Sequence, residues 1–151
     1  MKWPPKKQKN RRNTQKQRPR SRYIRRSLER GHRNEMLVYR AIITLKDKPA
    51  WFISCRFATE KEDRGGIDLV IATNDAGELF IQVKSSTEMA QAFRIEQSAF
   101  KPDWPLAIVV PLKNEGLQHL QKRTFAILDK LHNDLLIKYG KRLRGSDIRL
   151  P

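Results

Sequence analysis

The chain predicts an α/β sandwich around a small mixed sheet, and three observations carry that expectation. Apolar residues recur at helical spacing near both ends of the foldable part, in 23–46 and again from Leu117 to Leu135. Between them lie four short runs of strand type, 51–59, 67–73, 79–84 and 106–110. A Gly-containing turn joins the second run to the third, so these two form a hairpin. In chain order the elements read α-β-β-β-α-β-α.

In the first helix, Leu28, Gly31, Val38, Ile42 and Leu45 follow one stripe. Glu35 fills its missing step and places a carboxylate on the face that should meet the core. Trp51 to Thr59 follows Pro49 and is rich in aromatic and β-branched residues, which suits a strand. Glu60 to Gly66 reads as a polar loop holding Glu62, Asp63, Arg64 and the Gly65-Gly66 pair. After the hairpin, 88–100 suggests a helix, with Thr87 as its cap and Met89, Ala92, Phe93 and Phe100 along one side. Pro102 and Pro105 end it, and Leu106 to Val110 is a short buried strand. Asn114 then caps a long helix with Leu117, Leu120, Thr124, Ile127, Leu128, Leu131 and Leu135 at helical steps, ending near Gly140.

The hairpin register decides which residues share a face. A three-residue loop, Asp75-Ala76-Gly77, with Gly77 in the left-handed conformation, makes the best-formed turn. It pairs Asn74 with Glu78, Val70 with Gln82, and Asp68 with Lys84. Opposed residues project to one side, so Asp68, Gln82 and Lys84 are expected together. A slip of one residue would separate them, because it turns a strand's side chains over.

Charge is concentrated at the N-terminus. The 151 residues carry a net +16, from 32 Lys or Arg against 16 Asp or Glu. Residues 1–22 hold ten of these cations and no acid, which leaves +6 for the remainder. Such a segment cannot bury enough surface to fold alone. The chain therefore divides into a basic, disordered arm, 1–22, and a single domain, 23–151. A polyanion is the expected partner, because Lys and Arg neutralise phosphates with salt-sensitive, sequence-blind affinity. Lys6, Lys7, Arg11 and Arg12 represent the arm in that role. A solubilising or targeting arm is the plainer alternative.

Cys55 is alone, which excludes an internal disulfide and suits a reducing interior. No apolar stretch approaches the roughly 20 residues that span a bilayer. No apolar segment follows the basic start in the manner of a secretory signal. A cytoplasmic or nucleoid-associated protein without a membrane partner is expected.

Metal-assisted hydrolysis of a phosphodiester needs an acid to hold the cation, further oxygen ligands, and a Lys where water attacks. Asp68, Gln82 and Lys84 supply that kind of set. Together with Glu35, the runs Gly66-Ile67-Asp68 and Gln82-Val83-Lys84 resemble the PD-(D/E)XK nuclease superfamily, with 14 positions between Asp68 and Gln82. The resemblance spans residues 29 to about 112. It implies a restriction-endonuclease-like three-layer sandwich, in αβββαβ order plus a C-terminal helix. It also implies a metal-dependent endonuclease, an endodeoxyribonuclease hydrolysing DNA phosphodiester bonds with Mg²⁺ or Mn²⁺. The first-helix Glu35 resembles the resolvase arrangement, which suggests branched or junction DNA.

Two positions depart from the family pattern. Ile67 stands where the family has Pro, and Gln82 stands where it has a second acid. An amide oxygen can still ligate a hard cation, but it brings no charge. By the resemblance, Asp68 would be the bridging metal ligand, Gln82 would give its side-chain oxygen and Val83 its carbonyl. Glu35 would complete the shell directly or through water. Lys84 would orient or deprotonate the attacking water, or stabilise the pentacovalent phosphate.

Around this set, Ser85 and Ser86 could touch phosphate, Arg64 could contact the backbone, and Glu62 or Asp63 could lend a second ligand. Solvated loop charge is the simpler reading of the last two. His32, His119 and His132 are too scattered for a metal box. The rival function is a non-catalytic nucleic-acid-binding protein, for DNA or RNA, on a nuclease-like scaffold, and Gln82 is its best support. DNA is favoured over RNA by the resemblance, and symmetric double-strand cutting would ask for a homodimer.

Overall fold

The computed structural model describes residues 18–100 and 104–146, with side chains placed for 24–99 and 104–140. Lys6, Lys7, Arg11 and Arg12 lie outside the described residues. The elements in order are α1 (Arg18–Thr44), β1 (Phe52–Phe57), α2 (Glu60–Arg64), β2 (Leu69–Thr73), β3 (Glu78–Val83), α3 (Thr87–Phe100), β4 (Leu106–Val109) and α4 (Leu117–Ser146). The strands lie in the order β1-β2-β3-β4. The first three are mutually antiparallel and β4 runs parallel to β3, so the sheet is mixed as expected. Among the described residues, no helix is long and apolar enough to cross a membrane.

Strand alternation sorts the sheet's two faces. Leu69, Ile71, Leu79 and Ile81 are fully buried on one of them, against Val38, Ala41 and Ile42 of α1 and Leu120, Phe125 and Leu128 of α4. Each of these Leu, Ile, Val and Phe side chains contributes roughly 1.5–3 kcal/mol by leaving water. The intervening residues, Val70, Phe80 and Gln82, turn to the opposite face, which α3 covers with Ala90 and Phe93. Phe80 also meets Trp104 there, with ring centroids 5.5 Å apart. β1 forms an edge, and a register shift between Phe52 and Ser54 leaves Ile53 exposed.

Several boundaries differ from the sequence reading. α1 starts at Arg18, so 18–22, assigned above to the arm, open the helix. Pro19 is no obstacle in a first turn, where the missing N–H has no intrahelical partner to lose. The expected loop at 60–66 contains α2, held by a capping box. The Thr59 side chain accepts from the Glu62 N–H, and Glu62 Oε2 accepts from the Thr59 N–H at 2.7 Å. Ser86, rather than Thr87, caps α3, its Oγ accepting from the Met89 N–H at 3.2 Å. The inward row of α3 is Ala90, Phe93 and Gln97, whereas Met89 and Ala92 are exposed.

Asn114 does not cap α4. It adopts φ 61° in the turn before the helix, which begins at Leu117 and continues past Gly140 to Ser146. Glu115 anchors that turn, accepting from Arg123 at 2.7 and 2.8 Å and from the Leu112 N–H at 2.9 Å. The Arg123 guanidinium holds the Glu115 carboxyl well below the usual range, at about 2.

The hairpin register is offset by two from the expected one. Leu69 pairs with Ile81, Val70 with Phe80, Ile71 with Leu79 and Ala72 with Glu78. The turn chemistry explains the offset. Thr73 bonds Gly77 through both its N–H (3.0 Å) and its hydroxyl (2.7 Å), and Ala76 donates back to Thr73 Oγ1 at 3.0 Å. Asn74 is drawn away instead, donating to the carbonyls of Trp51 (3.0 Å) and Ala50 (2.9 Å). An offset of two keeps every side chain on its expected face.

Candidate functional site

Asp68 stands one residue before β2, while Gln82 and Val83 close β3, so the open end of the hairpin brings them together. In the observed register Asp68 faces Gln82. Asp68 Oδ2 accepts from Gln82 Nε2 at 2.7 Å and from the Val83 N–H at 2.6 Å. The residue is only 9% exposed. Burial pushes its pKa up to about 6; the Val83 N–H opposes this, the Glu35 charge adds to it, and Lys84 opposes it.

The rest of the site gathers around that carboxylate. Gln82 Oε1 is buried with no donor among the described residues. Gly66 holds φ +85°, and a Cβ there would sit 3.2 Å from both Gln82 Oε1 and Phe93 Cζ. Glycine is therefore favoured by the backbone conformation, and a larger residue would also press on the Gln82 amide and the Phe93 ring. Lys84 Nζ lies 4.2 Å from the Phe93 ring centroid, and among the described residues it pairs with no carboxylate. Glu35 is half-buried on α1, with Oε2 3.8 Å from His32 Nδ1.

A strand residue directs its N–H and C=O to the same side. The Val83 carbonyl accordingly faces the Asp68 side, beyond the last β2–β3 pair. Asp68 and this carbonyl, with Glu35 near enough for its charge to act on Asp68, offer oxygen donors of the kind a hard divalent cation takes. As placed, the Gln82 oxygen lies beside Gly66 without a partner among the described residues, and the amide nitrogen faces Asp68. The set carries two carboxylates. Among the described residues, no group of three or more His, Cys, Asp or Glu could hold a metal ion. Ligation through Gln82 requires its amide to exchange the N–H bond to Asp68 for its oxygen.

The peripheral candidates divide. Glu62 is engaged elsewhere, bonding Arg56 twice at 2.8 Å, and that bond together with the α2 cap lowers its pKa to about 2. Asp63 touches Asp68 only through its charge, which raises the Asp68 pKa less than burial or Glu35 does. Arg64 reaches Glu60 at 3.4 Å on the exposed side of α2. Ser86 is occupied as the α3 cap, and Ser85 Oγ contacts Met89 Sδ at 3.2 Å.

Three features escaped the sequence reading. Phe93 and Gly66 enclose the Gln82 amide, and only the tertiary approach of α3 reveals it. A groove of about 440 Å³ opens beside Lys84, walled by α1 and the turn from β3 to α3. Its α1 wall carries Arg26, Arg30 and Asn34 at four-residue spacing, a row readable beside the Gly31–Glu35 step. The chain matches no protein-family model, no curated protein and no solved structure.

Proposed function

We propose that the chain is a metal-dependent endonuclease of the restriction-endonuclease-like fold, hydrolysing phosphodiester bonds in DNA. The observation that carries this reading is the meeting of Asp68, Gln82 and Lys84 at one hairpin end, around a carboxylate that burial and a neighbouring acid hold near pH 6. A cation there would relieve the mutual repulsion of Asp68 and Glu35. When bound, Mg²⁺ or Mn²⁺ supplies Lewis-acid polarisation of the phosphate and a more acidic water.

The chain's own residues do the remainder. The Val83 N–H fixes the Asp68 carboxylate, and Gly66 admits the Gln82 amide beside it. Phe93 shields one side and holds the Lys84 ammonium by a cation–π contact worth about 0.5–2 kcal/mol. That is weak enough for Lys84 to leave the ring for a phosphate oxygen, where it offsets developing negative charge. DNA is the preferred substrate by the family resemblance, with a branched or junction structure as the refinement drawn from Glu35.

The test is cleavage of linear duplex, single strand, four-way junction and RNA in Mg²⁺ or Mn²⁺, with an EDTA control. Cutting that needs the metal and is lost in Asp68→Ala and Lys84→Ala is expected. Binding without cutting, unchanged by Asp68→Ala, sinks the reading. Gln82 favours one alternative, because it leaves the site a carboxylate short: a nucleic-acid-binding protein on the same scaffold without turnover. Its affinity would follow salt and the basic arm, not divalent metal.

A further inference from the structure

We propose that the groove between α1 and the turn from β3 to α3 binds one unpaired nucleotide of the nucleic-acid strand, its phosphate held by Arg26, Arg30 and Lys84. This rests on the endonuclease reading, and it assigns the site a substrate with single-stranded character. Among the groove's described lining residues are these three cations and no carboxylate. Arg26 and Arg30 stand one helical turn apart, where like charges repel, and an anion between them removes that repulsion. Guanidinium forks match phosphate oxygens, and the Ser85 hydroxyl on the opposite wall can exchange its weak contact with Met89 Sδ for a phosphate oxygen.

Size and shape point to one nucleotide. A volume of about 440 Å³ lies within the roughly 300–1,000 Å³ of small-molecule sites. A double helix would lie across the mouth of such a groove, whereas a single base and its phosphate can enter between the walls. Met89 gives the base an apolar surface. Lys84 belongs to both the groove and the candidate site, so the bound nucleotide neighbours the bond under attack. Gly31 leaves the α1 wall open, since a Cβ there would meet only Glu35 Oε1, at 4.0 Å.

That glycine supplies a test that leaves every charge in place. Gly31→Leu fills the groove, and an α-helix interior favours Leu over Gly, so the melting temperature should not fall. The full chain would be titrated in EDTA with a short thymidine single strand, a short duplex and thymidine monophosphate. Gly31→Leu is expected to weaken single-strand binding roughly tenfold, the scale of one base contact, and to leave duplex binding unchanged. The Arg26→Gln/Arg30→Gln double variant should lower the slope of log affinity against log salt by about 0.7 for each lost phosphate contact.

Unchanged single-strand binding in Gly31→Leu, or equal losses for strand and duplex, overturns the proposal. So does a monophosphate affinity matching that of the strand, which would indicate a free-nucleotide site. Cleavage is read separately. If the wild type cuts nothing in Mg²⁺ while Gly31→Leu still loses the single strand, the endonuclease reading falls and the nucleotide groove stands.

Discussion

The β2–β3 hairpin carries a carboxylate at each end, and the fold treats the two in opposite ways. At the turn, Asp75 Oδ1 lies 2.7 Å from His132 Nε2. That imidazole is buried and stacks on Trp51 at 4.8 Å and 18°. Trp51 in turn donates its indole N–H to Asp129 at 2.9 Å. Thr73 and Asn74 engage both their backbone and side-chain donors in the same region. At the open end, Asp68 is buried with two donors, but the Gln82 oxygen has no partner and Lys84 no acid among the described residues. Polar groups that satisfy one another fix a structure, whereas buried groups left wanting mark where something else belongs. By that contrast the turn end is architecture and the open end is where we propose the site.

Substitutions should separate the two ends, and the largest effect is expected at the site. Lys84→Ala should lower the cleavage rate by about 10²–10⁴-fold with little change in melting temperature. The contrast fails if melting falls as far as it does for a turn-end variant. At the turn, His132→Ala removes a buried, stacked and hydrogen-bonded ring, and should cost about 2–4 kcal/mol in denaturant unfolding. Below its unfolding midpoint it should still cut; lost activity in a folded His132→Ala would move the turn into the machinery.

The smallest effect sharpens the contrast through pH. The Asp68 carboxyl has a folded pKa of about 6, above its ordinary value of 3.8. Its contribution to stability is therefore fully present below about pH 4 and is lost as pH rises through 6. Asp68→Asn should escape that loss. It should be more stable than the wild type by about 1–2 kcal/mol at pH 8, allowing for solvent screening, and equal to it near pH 4. A variant less stable than the wild type at pH 8 would make Asp68 a structural residue like Asp75.

Much of this contrast was legible in the residues. Period-two alternation put Asp68, Gln82 and Lys84 on one face, and the structure keeps that parity, with Leu69, Ile71, Leu79 and Ile81 buried on the other. The register itself was missed by two, since Thr73 and Asn74 choose their partners across the turn and from the chain before β1. The short helix at 60–64 was written in Thr59-x-x-Glu62, a local capping signal. Gly66, Phe93 and the Arg26–Arg30 row gain their meaning only when α1 and α3 are brought against the end of β3. No local rule carries that information. Ser86 shows the reverse, where a residue read as phosphate-binding serves to start a helix.

The two-residue offset also governs how charge is distributed. Had the strands paired as the simplest turn suggests, Asp68 would stand directly opposite Lys84, and acid and base would quench one another across the sheet. In the register adopted, Asp68 faces a neutral amide, and Lys84 sits beyond the ladder over an aromatic ring. A register shift of two residues thus acts like an in-frame shift, preserving the face while changing the neighbour. Asp68 and Lys84 stay unpaired with each other across the ladder because Thr73 closes the turn where it does.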